Sequence, residues 1–312
     1  MAGFKTAMIL SASRRTDIPA FYSDWFYHRI EQGFVYVRNP MNSHQISKIL
    51  LNPEVVDCFV FWTKNPKPFI DRLFLLNNYS YYFQYTITGY GKTLEPTVPP
   101  LQESLSTFIV LSKRIGSKAV VWRYDPILIS DTFTEEYHCK TFEYIASQLS
   151  DYTDSCVISF VYYYKKTIKN LSNINNCEMN SDTMKRLAQK LQLIGLRYNI
   201  TITSCSEEID LSEYGIAHGK CIDHNRIEAI TGFTLQREKD KNQRATCECI
   251  SSIDIGSYNS CSHGCLYCYA NENMILVSKN VALHYKYDAL LFGTISDDDR
   301  VTYRKMISCK IR

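Results

Sequence analysis

Ala119-Val-Val-Trp-Arg-Tyr-Asp-Pro126 is a short apolar run that turns polar at its end, and a helical pattern follows over Thr134–Leu149. The run is too short for a helix and rich in β-branched and aromatic residues, so it reads as a buried strand. The same unit recurs on both sides. Upstream, Ala7–Ser11 precedes a helix from Pro19 to Glu31, and Phe34–Val37 precedes one near Ser43–Leu51. Val56–Trp62 precedes a helix opened by Pro68 and running to about Leu76, and Tyr81–Thr88 precedes Leu101–Ile115. Downstream, Cys156–Tyr162 precedes Ser181–Ile194, and Tyr198–Thr203 precedes a short helical stretch near Leu211–Tyr214. Seven strand–helix alternations predict an α/β fold with a parallel sheet and crossover helices. Repetition on this scale favours a TIM-type (β/α) barrel over an open sheet. The pattern changes after about residue 217, which predicts a barrel over 1–217 and a cysteine-rich extension over 218–312 packed on it. Within the extension, the polar segment Gln236 to Arg244 reads as a solvated loop.

The chain has 312 residues, 45% hydrophobic and 21% charged, enough for one large core. A net charge of +3 is too small to argue for nucleic acid or a membrane surface. No run approaches the roughly 18 apolar residues of a spanning helix. The N-terminus turns polar at Ser11 to Asp17 and lacks the regions of a signal peptide. A cytoplasmic location is expected. In a reducing compartment the twelve cysteines are expected as ligands or buried thiols, not disulfides. Cys58, Cys139, Cys156 and Cys177 are scattered; Cys205, Cys221, Cys247, Cys249, Cys261, Cys265 and Cys268 crowd the last third. The 23 tyrosines read as interior and groove aromatics of a large fold rather than as base-stacking platforms.

In a parallel barrel, chemistry gathers where strands end. The predicted strand ends are polar: Ser11-Ala-Ser-Arg-Arg-Thr-Asp17, Arg38-Asn-Pro-Met-Asn42, Trp62-Thr-Lys-Asn-Pro66, Thr86-Ile-Thr-Gly89, Trp122-Arg-Tyr-Asp-Pro126 and Ser204-Cys-Ser-Glu207. Arg14, Arg15, Arg38, Lys64 and Arg123 are expected to converge, with Asn39 and Asn65 beside them, as the binding groups for an anionic substrate. Guanidinium forks grip carboxylate or phosphate bidentately. Asp17, Arg123, Asp125, Cys205 and Glu207 are the catalytic candidates, as orienting groups, proton relays or, for Cys205, a hydrogen donor. The competing reading is structural: Asp17 and Asp125 neutralise arginines, and Asn-Pro and Asp-Pro are turn punctuation. The seven histidines show no metal-ligand spacing, and phosphate loops of the GxGxxG or Walker type are absent.

Asn259-Ser-Cys-Ser-His-Gly-Cys-Leu-Tyr-Cys-Tyr-Ala-Asn271 carries Cys261, Cys265 and Cys268 in the spacing CxxxCxxC. Three thiolates so placed suit a 4Fe-4S cluster with one iron left open, the arrangement that binds and reductively splits S-adenosylmethionine. A structural zinc site is the alternative. His263, inside the loop, is placed to hydrogen-bond a sulfur and tune it. The stretch resembles the cluster loop of radical SAM enzymes, most closely the branch that includes spore photoproduct lyase. That resemblance implies S-adenosylmethionine as cofactor, a ferredoxin or flavodoxin as electron donor, and a nucleotide or nucleic-acid substrate by analogy alone.

Ser11-Ala-Ser-Arg-Arg-Thr-Asp-Ile-Pro-Ala20, Phe61-Trp-Thr-Lys-Asn-Pro66, Trp122-Arg-Tyr-Asp-Pro126, Gly219-Lys-Cys-Ile-Asp223, Lys239-Asp-Lys-Asn-Gln-Arg244 and Asp254-Ile-Gly256 resemble a family of uncharacterised prokaryotic proteins, domain of unknown function family 1848. In ordinary radical SAM enzymes the cysteine loop follows the first barrel strand. Here it follows at least seven strand–helix units. One account is circular permutation, with Cys249–Asp254 as the strand feeding the loop and lying beside Ala7–Ser11; the other is a separate iron–sulfur appendage. A glycine-rich segment for the methionine end of the cofactor is not evident. Cys205, Cys221 and Cys249 are further candidate ligands, either to close the fourth iron or to form a second metal site with one another, and Cys247 lies near them in sequence. A closed cluster would leave only electron transfer or a structural role. The leading expectation is a radical SAM-like enzyme acting on a small anionic substrate. The second is a non-radical barrel protein with a closed iron–sulfur or zinc site. A nucleic-acid-binding module is the third, and the net charge gives it little support.

Overall fold

The computed structural model describes residues 8–174, 179–306 and 308–311; Cys177 lies outside the described residues. The strands are β1 (Ile9–Ser11), β2 (Phe34–Asn39), β3 (Asn42–Leu50), β4 (Cys58–Thr63), β5 (Tyr81–Thr86), β6 (Val120–Ile127), β7 (Ser155–Phe160), β8 (Thr201–Ser204), β9 (Ala217–His218), β10 (Ile253–Asp254) and β11 (Arg300–Tyr303). The helices are α1 (Ile18–Phe21), α2 (Ser23–Gln32), α3 (Lys67–Ile70), α4 (Leu101–Ile115), α5 (Glu135–Leu149), α6 (Lys165–Asn170), α7 (Ser181–Arg197), α8 (His224–Thr231) and α9 (Met274–Ala282). Local chemistry sets several ends. The Thr134 hydroxyl accepts from the Tyr137 amide to cap α5, and the Asn180 side chain accepts from Thr183 to cap α7. The helix expected over Pro19–Glu31 is two helices, broken at Tyr22 and stopped by Gly33 in the left-handed region.

One sheet has eight strands in the order β10-β1-β4-β5-β6-β7-β8-β9, and every neighbouring pair is parallel. Among the described residues no ladder joins β9 to β10, so a closed ring is not formed. A backbone bond from the Ile250 amide to the Ile222 carbonyl, 3.2 Å, and the Ile222 amide on Cys249 Sγ, 3.4 Å, link the segment after β9 to the segment before β10. The two-residue period of the strands splits their side chains between two buried faces, as a covered parallel sheet requires. Phe59, Phe61, Phe83, Tyr85, Trp122, Tyr124 and Ile158 pack with Phe26, Phe69, Phe108, Phe142 and Leu191 from the helices. The alternate residues Cys58, Val60, Tyr82, Val121 and Val157 pack with Cys221, Ile222, Cys247, Cys249 and Ile250.

Two expectations fail at one place. Phe34–Val37 does not enter the large sheet, and Ser43–Leu51 is not a helix. β2 and β3 form an antiparallel hairpin, and β11 adds to it in the order β11-β3-β2. The apolar spacing of Ile46, Ile49 and Leu50 mimics a helix face. The strand wins because it finds ladder partners on both sides, one of them some 250 residues away in sequence. Residues beyond 217 supply β10 to the large sheet and β11 to the small one, and Ile253, Ile255 and Leu291 join the main core.

Candidate functional site

The C-terminal ends of the large sheet open into a cavity of about 800 Å³. A nucleotide-sized ligand fits in that volume, since ligand pockets run to about 300–1,000 Å³. Arg14, Arg15 and Asp17 follow β1 into it, Lys64 follows β4, Arg123 and Asp125 come from β6, Cys205 and Glu207 follow β8, and Asp254 ends β10. Arg38 and Asn39 also line it, but from the small sheet rather than from a strand of the large one. Cys221, Cys247, Cys249, Cys261, Cys265 and Cys268 complete the cysteines of the wall. Asn65 does not line the cavity; its side-chain Oδ1 accepts from the Lys67 amide at the turn into α3.

Asp254, which sequence reading did not single out, fixes the cysteine loop to the first strand. Its carboxylate accepts from Ser11 Oγ (2.7 Å), Ser13 Oγ (2.6 Å), the Arg14 amide (2.8 Å) and the Gly256 amide (2.9 Å). Gly256 approaches Ser13 so closely that a Cβ there would stand 2.5 Å from the Ser13 Cβ. The only sequence signal for either residue is their place in the quoted stretch Asp254-Ile-Gly256. Asp17 does similar work from the other side. One oxygen caps α1 at the Ala20 amide (3.0 Å); the other accepts from the Lys64 amide (2.7 Å) and pairs with His263 Nε2 at 2.8 Å. His263 therefore meets a carboxylate, not a sulfur, with its ring Nε2. Its backbone N–H is the group that faces Cys261 Sγ. Its buried Nδ1 has no partner.

The cationic ring is internally neutralised. Arg123 forks onto Asp125 (2.9 and 2.6 Å), and its remaining N–H groups reach Gln84 Oε1 (3.2 Å) and Cys221 Sγ (3.0 Å). Arg38 forks onto Asp299 at 2.6 and 3.0 Å. Lys64 Nζ meets Glu95 at 2.7 Å, where the Thr88 and Tyr267 hydroxyls also donate. Burial pushes the Glu95 carboxyl up, but Lys64 and the donated hydrogen bonds outweigh it and leave it below the usual carboxylate range. Arg14 donates to Ser252 Oγ at 3.0 Å and lies 3.5 Å from Asp240. Arg15 donates to the Gly256 carbonyl at 3.4 Å, has its nearest carboxylate, Asp254, at 4.0 Å, and sits over the Tyr258 ring. Glu207 accepts from the Phe160 amide at 2.8 Å, and burial raises its carboxyl. Glu95, Asp240 and Asp299 escaped the sequence reading because each lies in a turn or acidic run that reads as solvated.

The cysteines fall into two sets. Burial raises the Cys261 thiol, with Asp17, Cys268 and Cys265 adding to the rise. Burial pushes Cys265 up to about 12, against the pull of Lys64. Cys268 Sγ accepts from the Ala270 amide at 3.3 Å. The second set contains Cys205 and Cys221, whose sulfurs are 3.0 Å apart, with Cys249 and Cys247 next in line. Hydrogen bonds from Cys205 and Cys249, with Arg123 close by, lower the Cys221 thiol well below its ordinary value. As they stand, no three His, Cys, Asp or Glu side chains among the described residues close on one ion. The donor chemistry of the first set still suits a four-iron cluster, because such a cluster takes each thiolate on a different iron rather than all on one point.

Neither a curated protein nor a solved structure matches the chain. A family model does, over residues 9–270, a span that runs from β1 through the cysteine loop and takes in the cavity residues described in this section except Asp299. The chain belongs to the family described as Domain of unknown function (DUF1848).

Proposed function

We propose that the protein is an iron–sulfur enzyme that uses S-adenosylmethionine reductively on a small anionic substrate. The observation that carries this reading is topological. β10 lies parallel beside β1, with Leu10 opposite Ile253 and Ser11 opposite Asp254, and the CxxxCxxC loop leaves the sheet directly after it. A loop that follows a parallel strand into the cavity at the strand ends has the placement this cysteine spacing has in radical SAM barrels. We therefore read the large sheet as a (β/α) barrel permuted in sequence and left open between β9 and β10, which favours permutation over a separate appendage.

Cys261, Cys265 and Cys268 would hold the cluster. Such a cluster, when bound and reduced, would supply the one-electron reduction that splits S-adenosylmethionine. The chain's own groups do the rest. Asp17 orients the loop through His263 and Asp254 anchors its entry. The Lys64–Glu95 pair sets the Lys64 ammonium near Cys265. Arg15, with its long contact to Asp254, and Arg244 and Arg304, which also line the cavity, are the guanidiniums suited to take a carboxylate or phosphate. Glu207, whose carboxyl burial raises above its ordinary value, is the group suited to move a proton at the cavity wall. A ferredoxin or flavodoxin would deliver the electron, and a reducing cytoplasmic compartment would keep the cluster intact. No helix among the described residues is long and apolar enough to cross a membrane.

The test is an EPR spectrum of anaerobically reconstituted, dithionite-reduced protein with and without S-adenosylmethionine. A reduced four-iron signal that shifts on adding the cofactor, followed by 5′-deoxyadenosine release, is the expected result. A signal indifferent to the cofactor, or no iron on the loop cysteines, would overturn the reading.

A further inference from the structure

The second set of thiols has no role in the chemistry above. Cys205 follows β8, Cys221 lies in the turn after β9, and Cys247 and Cys249 precede β10. Three separate segments thus bring four cysteines together: the Cys205 and Cys221 sulfurs stand 3.0 Å apart, Cys249 lies beside Cys221 and Cys247, and no three of the four close on one point as they stand. Cys221, Cys247 and Cys249 are buried, and Cys205 opens towards the cavity.

The surroundings are built for charged sulfur. Arg123 aims Nη1 at Cys221 Sγ from 3.0 Å, and the Ile222 amide points at Cys249 Sγ from 3.4 Å. Strong N–H donors aimed at sulfur suit a thiolate, not the weak acceptor of a neutral thiol. The turn that carries Cys221 is held rigidly. Tyr82 and Gln84, from the inner face of β5, both donate to the Cys221 carbonyl, at 2.6 and 2.9 Å, and Tyr82 accepts from the Asp223 amide at 3.2 Å. Gly219 lets this turn run against β8, where a Cβ would stand 2.8 Å from the Ser204 carbonyl oxygen.

We propose that Cys205, Cys221, Cys247 and Cys249 form a second metal site that holds a single tetrahedral ion of the zinc class and pins the open side of the large sheet. A zinc–sulfur bond of about 2.3 Å sets neighbouring sulfurs of a tetrahedron about 3.8 Å apart. The Cys205–Cys221 pair, at 3.0 Å, needs to open by only about 0.8 Å to reach that spacing. A four-iron cluster would need the sulfurs much farther apart, one to each iron. Four thiolates and a divalent ion leave a net charge of about −2; the Arg123 and Ile222 N–H groups donate to the sulfurs, although the charge of Arg123 is itself matched by Asp125. The position explains the purpose. Near this point the sheet's two end segments are linked by the Ile250–Ile222 backbone bond, the Ile222 amide on Cys249 and the His218 ring on the Thr246 carbonyl, and the ion would join the same two segments through Cys221, Cys247 and Cys249. The proposal stands apart from the reading of the CxxxCxxC loop.

Cobalt(II) is the probe, added to the reduced full-length chain without oxygen. In a variant carrying Cys261→Ala, Cys265→Ala and Cys268→Ala, one cobalt per chain should bind with the intense visible bands and sulfur-to-cobalt charge transfer of a tetrahedral tetrathiolate. Zinc should bleach them. Cys221→Ser and Cys249→Ser in the full chain should each weaken cobalt binding at least tenfold. Bands that vanish in the triple variant, a quartet that takes up a four-iron cluster, or a Cys205–Cys221 disulfide in place of bound metal would each overturn the site. Should the serine variants fail to fold, alkylation of the unmodified chain with and without zinc decides the matter. Zinc should slow labelling of all four cysteines at least tenfold, and equal rates would overturn the proposal.

Discussion

At the scale of single residues, the cavity is a place where charges are matched before any ligand arrives. Lys64 and Glu95 illustrate the energetics. Both are nearly out of water, and each holds the other in its charged form. Removing one partner strands the other, which costs more than the pair itself contributes. Lys64→Met should therefore destabilise the fold by about 3 kcal/mol, while Glu95→Gln with Lys64→Met together should recover a good part of that loss. Urea denaturation of the two variants checks this, and a Lys64→Met midpoint equal to the parent's would refute it. The same matching explains what the sequence could not tell. Arg14, Arg38, Lys64 and Arg123 were legible as cations at loop ends, but Glu95, Asp240 and Asp299 were not legible as their partners. A carboxylate in a turn looks solvated until the fold closes over it. Arg123 with Asp125 was the exception, because the two residues are neighbours on one strand end and the structural pairing was already in view.

At the scale of elements, periodicity located most of the large sheet. The runs around Ile9, Phe59, Phe83, Val121, Val157 and Ile202 are short, apolar and followed by helices, so strand type follows from length and composition. β3 was misread because Ile46, Ile49 and Leu50 carry a helical spacing, and its partner β11 is visible only in three dimensions. The cysteine loop was legible at once; its neighbour β1 was legible only as one of two accounts. His138 shows how α5 is tied to the loop after β6: its ring joins the Tyr124 hydroxyl (2.8 Å) to the Leu128 carbonyl (2.9 Å). Burial lowers this histidine to about 4. The unfolded chain takes up the same proton near the ordinary value of about 6.5. Between these values the unfolded state binds more protons, so stability falls as pH falls through that window, by up to about 3 kcal/mol at its lower end. In a His138→Gln variant this share of the pH slope should vanish; denaturation midpoints at several pH values compare the two, and parallel slopes would refute the assignment.

At the scale of the whole molecule, the two ends of the chain are not separable layers. β10 extends the sheet beside β1, β11 covers β3, and Asp254 ties the first loop to the last third. A fragment comprising residues 1–217 should therefore lack a cooperative thermal transition and bind hydrophobic dyes, while the full chain melts sharply. Circular dichroism and dye fluorescence decide this, and a sharp melt of the fragment would show that the first part folds alone. The expected boundary at 217 was drawn from a change in periodicity. Periodicity reports local form, and says nothing about which strand a distant segment will join.

The pairing of β1 with β10 also governs how the protein is made. Ser11 and Asp254 are 243 residues apart. At roughly 5–20 residues per second on the ribosome, the first strand waits about 12 to 50 s for its neighbour. Throughout that interval one edge of the nascent sheet is bare, and an uncovered edge invites pairing with another chain. The brevity of β1, three residues long, keeps that edge short while it waits. The loop that carries the last three clustered cysteines emerges only after its seat has been built, so the order of synthesis delivers the reactive thiols to a scaffold that is ready to bury them.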